Sequence, residues 1–123
     1  MKRLFVDIDD TLVLYDTDGE INPYGFLKDE TYRANAPLVD FIHRFRERYP
    51  EALIVIWSGG GSRYAHTVSR ALGLEELEVV PMLKDQTTFG MVREKDLVVD
   101  DQPIAVPAVV ISPKDYQQLE QGL

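Results

Sequence analysis

The sequence contains no cysteine, and this absence removes several kinds of chemistry. Without thiols the chain forms no disulfide, binds no zinc through cysteine and has no cysteine nucleophile. Positive charge is also scarce, because 13 lysines and arginines face 21 aspartates and glutamates, which leaves a net charge of −8. A surface of that sign repels nucleic acids unless a metal or a local basic patch intervenes.

Long hydrophobic runs are absent as well. No run approaches the length of a membrane span, and the apolar residues after Lys2 and Arg3 are too few for a signal peptide. We therefore expect a soluble, cytoplasmic protein with no membrane partner. The 123 residues are 45% hydrophobic and carry no linker or repeat, which predicts one domain with its own core over residues 1–123.

Short apolar runs that alternate with helical patterns predict an α/β fold. The runs that we interpret as strands cover residues 4–6, 53–57, 77–81, 97–99 and 108–111. Apolar spacing and flanking proline or glycine predict helices over residues 37–49, 63–72 and 113–121. Solid apolar strands between helices are typical of a parallel sheet that is buried on both faces.

Residues 13–36 lack sustained periodicity and contain two groups of turn residues. This composition predicts a small hairpin or flap rather than a domain. Because the segment follows the first strand and its acids directly, we expect it to cover the site and to influence substrate choice.

Polar residues follow four of the five predicted strands. They are Asp7 and Asp9, Ser58 with three glycines, Lys84, and Asp100 with Asp101. The ligand crevice of an open parallel sheet lies beyond the carboxyl ends of its strands, so these groups should converge at one edge. Clustered acids repel one another and are most easily tolerated around a cation, and ligands that offer only oxygen suit Mg²⁺.

The remaining groups fit a phosphorylated ligand. Ser58, the backbone N–H groups from Gly59 onward and Lys84 would contact phosphate oxygens. Asp7 is then placed to attack phosphorus and form an aspartyl-phosphate. Taken singly, Ser58 suits a strand-to-helix turn, Lys84 a surface lysine and Asp100 a helix cap. Their ordered combination is what predicts a site.

The four groups resemble the motifs of the haloacid dehalogenase superfamily. Residues 5–12, Phe-Val-Asp-Ile-Asp-Asp-Thr-Leu, resemble its first motif, an apolar strand followed by Asp-x-Asp-x-Thr. Residues 54–58 are similar to the second motif, Lys84 stands where the third motif has its lysine, and residues 97–101 resemble the fourth. Together the motifs span residues 4–101 in the family's order. Asp10 occupies a place that glycine often holds in the family.

The resemblance implies a role for each acid. Asp7 would be the nucleophile and a metal ligand, and Asp9 the general acid and base that also binds the metal through its backbone carbonyl. Asp100 would complete the Mg²⁺ site, with Asp101 behind it or in contact with a bound water. The presence of Asp9 distinguishes the phosphatases and phosphotransferases of the family from its dehalogenases. We therefore expect a Mg²⁺-dependent phosphatase.

The resemblance also implies a Rossmann-like sheet with strand order 5-4-1-2-3. The segments between the motifs are too short for a cap domain, so we expect an open site. Such a site suits a phosphorylated protein side chain, a nucleic-acid end, or a small molecule enclosed by oligomerisation. Lys28 in the flap and Arg63 after the glycines could reach such a substrate.

Two other functions remain open at this point. A signalling receiver domain has this length and sheet, but its phospho-acceptor ends the third strand, near mid-chain. Here the mid-chain strand ends in Trp57 and Ser58, and Ile111 at the end of the last strand is followed directly by Ser112 and not by a lysine. A catalytically idle binding module with the same fold is the second alternative. We expect Trp57 to lie in the core and the two histidines, His43 and His66, to have structural roles.

Overall fold

The first predicted strand forms the centre of the sheet. The structure is a computed structural model that describes residues 1–15 and 33–123. Its strands are β1 (Arg3–Asp7), β2 (Val13–Leu14), β3 (Arg33–Ala34), β4 (Leu53–Ser58), β5 (Val80–Leu83), β6 (Leu97–Val99) and β7 (Val110–Ile111). Its helices are α1 (Ala36–Arg48), α2 (Ser62–Ala71), α3 (Gln86–Phe89) and α4 (Tyr116–Gln121), with a 3₁₀ helix over Glu75–Leu77.

The predicted α/β class is confirmed. Five strands form one parallel sheet in the order β5-β4-β1-β6-β7, and β2 and β3 form a separate antiparallel pair. In strand numbers the observed order differs from the expected 5-4-1-2-3, because the expected order counts five strands and does not number β2 and β3, which form the separate pair. Taken segment by segment and from the opposite edge, both orders place β1 between β4 and β6.

Helices α1, α2 and α4 pack on one face of the sheet, and the other face is covered by Phe89 of α3 and by residues from Val92 to Ala108. Leu4 and Val6 of β1 pack in a cluster with residues of α1, α2 and α4, whereas Phe5 packs on the other face with Trp57 and Val92. Successive side chains of a strand point to opposite faces, so β1 is buried on both sides as its solid apolar run predicts. Trp57 is fully buried beside Phe5, which confirms its predicted place in the core.

Helix α1 follows the predicted pattern closely. Its buried residues are Leu38, Phe41, Ile42 and Phe45, which recur at helical spacing. A proline near its first position costs little, because the first N–H groups of a helix lack partners inside it.

Three predicted boundaries are wrong. The third strand lies at Val80–Leu83 rather than over residues 77–81, because pairing with β4 sets its register and Leu77 belongs to the 3₁₀ helix. The last strand is shorter than residues 108–111, and the last helix begins at Tyr116, after Asp115 caps it by accepting from the N–H of Gln118. Helix α3 has no counterpart among the predicted elements.

The predicted flap, residues 13–36, lies mostly outside the described residues, since residues 16–32 are not among them. The strands β2 and β3 pair at its two ends. Among residues 1–15 and 33–123, no helix is both long and apolar enough to cross a membrane.

Candidate active site at the carboxyl edge of the sheet

The register of the strands brings the predicted site residues to one edge. Asp7 ends β1 directly opposite Trp57, so the next residue of β4, Ser58, stands beside it. Val6 lies opposite Val99, which puts Asp7 and Asp100 level with one another. Because Ser58 pairs with Leu83, the following residue, Lys84, also reaches this edge.

Lys84 joins two of the carboxylates. Its Nζ donates to Asp7 Oδ1 at 2.8 Å and to Asp100 Oδ2 at 3.0 Å. The side chains of Asp7 and Asp100 are 7% and 0% exposed, and that of Lys84 is 17% exposed, so solvent screens this arrangement weakly. Lys84 is therefore a half-buried cation between two acids and not a fully solvated surface lysine.

A tight turn after β1 brings Thr11 next to the same acids. The backbone N–H groups of Thr11, Leu12 and Val13 all donate to the carbonyl of Ile8. Asp10, within this turn, has φ +60°, a left-handed conformation that glycine adopts more easily. The conformation explains in physical terms why a glycine would also suit this position.

The Thr11 hydroxyl lies between two acids. Its Oγ1 is 3.0 Å from Asp7 Oδ2 and 3.3 Å from Asp101 Oδ1. One hydroxyl carries one proton, so it donates to one carboxylate at a time. Asp7 is thus held on both of its oxygens, by Lys84 on one and by Thr11 on the other.

The acids fit a hard divalent cation. Asp7, Asp100 and Asp101 each present one oxygen, and these oxygens lie within 4.8 Å of one another. Three carboxylate oxygens form a donor set that Mg²⁺ accepts, with waters as its other ligands. The carboxylate of Asp9 is not part of this group, so any contribution of Asp9 to a metal would come from its backbone carbonyl.

Burial changes the protonation of the cluster. It raises the pKa of Asp7 to about 7, against the opposing effect of Lys84, and the charge of Asp100 adds to the rise. The pKa of Asp100 is also raised by burial. The pKa of Lys84 is raised, since its bonds to Asp7 and Asp100 outweigh its own burial. The pKa of Asp101 is lowered, because hydrogen bonds led by that of Gln102 outweigh its burial.

Ser58 shapes the glycine-rich loop between β4 and α2. Its Oγ accepts from the N–H of Gly60 at 2.9 Å, and its carbonyl accepts from the N–H groups of Gly61 and Lys84. The hydroxyl proton remains available as a donor, because a hydroxyl both accepts and donates. Gly59 is exposed, and a Cβ at this position would meet nothing within 4 Å.

Two residues outside the predicted site contact Asp9. The hydroxyls of Tyr15 and Tyr64 donate to Asp9 Oδ1 at 2.7 Å and 2.8 Å. Tyr15 follows β2, and Tyr64 lies in the first turn of α2. No local pattern marks either tyrosine, because the contact depends on the three-dimensional packing of separate segments.

A cavity of about 330 Å³ adjoins the acids. It is lined by Asp10, Leu14, Tyr15, Asp101, Ser112, Pro113 and Lys114. Its volume lies at the small end of ligand pockets. Asp9 is not among the lining residues; the cavity reaches the acids through Asp101 and the Asp9 contact through Tyr15.

Among the residues that the structure describes, Arg63, His66 and His43 make no hydrogen bond to the acids of the site. Arg63 and His66 are exposed on α2, and Nε2 of His66 lies 3.8 Å from Oε1 of Glu75. His43 is half-buried on α1. Lys28 falls outside the described residues.

Comparisons of the chain with protein-family models, with curated proteins and with solved structures found no match.

Proposed function

We propose that the protein is a Mg²⁺-dependent phosphatase that hydrolyses a phosphomonoester through an aspartyl-phosphate on Asp7. The observation that carries the proposal is the pairing of Asp7 with both Lys84 and Thr11, next to Asp100 and Asp101. A carboxylate fixed at both oxygens beside a cation and further acids is an oriented nucleophile rather than a solvated surface charge. The motif resemblance of the sequence supports the same chemistry.

Asp7, Asp100 and Asp101 would hold the metal. When bound, Mg²⁺ would offset the repulsion among the acids and the charge of the phosphoryl oxygens. The Lys84 ammonium, which already lies between Asp7 and Asp100, adds a second positive charge at the same place. The hydroxyl of Ser58 and the backbone N–H of Gly59 would donate to the remaining phosphate oxygens.

The reaction would proceed in two displacements. In the first, an oxygen of Asp7 attacks phosphorus, the bond between phosphorus and the ester oxygen breaks, and Asp9 gives a proton to the departing alcohol. In the second, a water attacks phosphorus and gives a proton to Asp9, while the bond between phosphorus and Asp7 breaks. Phosphate and the alcohol leave, and both acids return to their starting protonation.

For the substrate, only a chemical class is proposed. The cavity lined by Tyr15 and Asp101 has the volume for a small alcohol or sugar-sized group. A protein side chain and a nucleic-acid end remain alternatives, and the net charge of −8 disfavours the last of these. We also propose that the site is open, without a cap domain, and that oligomerisation closes it over a small substrate. A cytoplasmic location is proposed as well.

An assay with p-nitrophenyl phosphate tests the function. The wild-type protein should release nitrophenolate with Mg²⁺ and lose this activity in excess chelator, and Asp7→Asn should be inactive in both. Asp40→Asn is the matched control, because Asp40 is 67% exposed on α1 and pairs only with Arg44 among the residues described. Phosphate binding without turnover in the wild type would instead indicate an idle binding module.

A further inference from the structure

We infer that Tyr15 and Tyr64 are positioning residues that hold Asp9 by one oxygen and so direct its other oxygen toward the leaving group. The inference rests on the proposed function and deepens it, because it assigns two residues to the proton-transfer step. Neither tyrosine belongs to the motifs of the sequence.

The hydrogen bonds converge on a single atom. Tyr15 and Tyr64 donate to Asp9 Oδ1, at 2.7 Å and 2.8 Å. Both lie within the usual range for hydroxyl donors. Oδ2 of Asp9 accepts no hydrogen bond from the residues described, so the two oxygens of this carboxyl group are distinct. One oxygen is held in place, and the other is available to carry the proton.

The two tyrosines come from separate elements. Tyr15 follows β2, and Tyr64 projects from the first turn of α2. Two anchors from different elements restrict the rotation of the Asp9 side chain more than one would. Since general acids work only at hydrogen-bond distance from the reacting oxygen, this restriction bears directly on proton transfer.

The surroundings favour donation by both hydroxyls. Burial and, after it, the hydrogen bond and charge of Asp9 raise the pKa of Tyr15, so its hydroxyl retains its proton throughout the physiological range. Gly60 leaves room for the ring of Tyr64, because a Cβ at residue 60 would lie 3.1 Å from Tyr64 Cδ2. The same Cβ would lie 3.3 Å from Ser58 Oγ, so the glycine loop accommodates both groups.

The location of Tyr15 connects the anchor to the substrate side. Tyr15 also lines the 330 Å³ cavity beside the acids. An alcohol leaving group in this cavity would therefore stand next to the residue that fixes Asp9. The oxygen of Asp9 that accepts from neither tyrosine is the one that remains for that alcohol.

The test compares Tyr15→Phe, Tyr64→Phe and the double variant on two substrates. Loss of the hydroxyls should lower kcat on an alkyl phosphate about tenfold singly and about 10²-fold or more in the double variant, within the usual range for general acid–base catalysis. Phosphoenzyme formation from p-nitrophenyl phosphate should change less than about threefold, because nitrophenolate leaves without a proton. The dissociation constant of each substrate, rather than KM, should stay nearly constant, because slower hydrolysis of the phosphoenzyme lowers KM together with kcat.

Tyr49→Phe is the matched control. It removes a tyrosine hydroxyl that donates to the carbonyl of Leu123 and makes no contact with Asp9. Its rates on both substrates should equal those of the wild type. Thermal denaturation of every variant verifies folding, and an equal loss on both substrates would assign the tyrosines a merely structural role and overturn the inference.

A double-mutant cycle separates the inference from the proposed function. In an Asp9→Asn background, Tyr15→Phe and Tyr64→Phe should have no further effect on the ratio of alkyl to aryl rates, because they act through Asp9. A full additional effect in that background would overturn the inference. If the wild-type protein transfers no phosphoryl group at all, the proposed function itself fails. If Asp9→Asn slows the alkyl substrate more than the aryl substrate and the tyrosine variants do not, only the inference fails.

Discussion

Lys84 Nζ lies 2.8 Å from Asp7 Oδ1, although 77 positions separate the two residues in the chain. The contact exists because β1 and β5 are both paired with β4, which lines up their carboxyl ends. It links the cation that would bind phosphate to the carboxylate that would attack it. Stability, metal binding and catalysis should therefore all respond to changes in this contact and in the acids around it.

Replacement of Lys84 should destabilise the metal-free protein. Lys84→Met leaves Asp7 and Asp100 facing each other without their cation, and breaking a buried charge pair costs about 3–5 kcal/mol. Because Lys84 is partly exposed, we expect the lower end of that range at pH 8. The loss should be smaller at pH 5, where Asp7 can take up a proton instead.

Denaturant unfolding in chelator measures this effect. Lys95→Met is the control, because Lys95 is exposed and lies away from the acids. Equal unfolding free energies for Lys84→Met and Lys95→Met at pH 8 would show that the Lys84 contact contributes nothing to stability.

The raised pKa of Asp7 predicts a pH dependence of stability. The pKa of Asp7 is about 7 in the folded protein, against 3.8 for an unperturbed aspartate, which represents the unfolded chain. Between about pH 4 and 7 the folded state therefore binds more protons than the unfolded state. Stability from this group therefore falls as pH rises from about 4 to 7. Asp7→Asn removes the titration, so in chelator the Tm of the variant minus that of wild type should be larger at pH 8 than at pH 5. A difference that stays constant with pH would contradict the raised pKa.

Metal dependence should follow the acid cluster. Asp100→Asn removes one of the three grouped carboxylates. Loss of a residue that only hydrogen-bonds a metal ligand lowers metal affinity about 10–100-fold. Because Asp100 would bind the metal itself, the Mg²⁺ concentration for half-maximal activity should rise by at least that factor. Asp40→Asn should leave it unchanged. Calorimetric titration of Mg²⁺ provides a second readout without substrate. Full wild-type activity in metal-free buffer would refute the metal site.

The two acids of the first motif should differ in their kinetics. Asp9→Asn should retain part of the rate on p-nitrophenyl phosphate, because general acid–base help contributes about 10²–10⁴-fold and a good leaving group needs little of it. Hydrolysis of the phosphoenzyme still lacks its base, so a burst of nitrophenolate should precede a slow steady state in rapid-quench experiments. Asp7→Asn should show no burst, since an amide is a poor nucleophile.

The sequence is most informative where a single local pattern decides the structure. The solid apolar runs of β1 and β4 and the periodicity of α1 predict these elements, because each is buried over most of its length or along one face. The predicted position of β5 is wrong, because β5 is an edge strand whose register depends on β4 and not on its own hydrophobicity.

The same distinction applies to the site. Acids at strand ends predict that Asp7 and Asp100 lie together, since parallel strands share one carboxyl edge. The contacts of Tyr15 and Tyr64 with Asp9 cannot be predicted in this way, because they join segments with no common periodicity. The left-handed conformation of Asp10 is set by the turn around the carbonyl of Ile8, and an aspartate tolerates this conformation without specifying it.

Chemical trapping on Asp7 tests the central claim most directly. Asp9→Asn protein, mixed with p-nitrophenyl phosphate and Mg²⁺ and quenched during the burst, should carry one phosphoryl group on an acyl linkage. Borohydride reduces such an aspartyl-phosphate to homoserine, so peptide mass spectrometry should find homoserine at position 7 and an unmodified aspartate at positions 10, 100 and 101. Turnover with no homoserine at position 7, or with the phosphoryl group on another residue, would contradict the account.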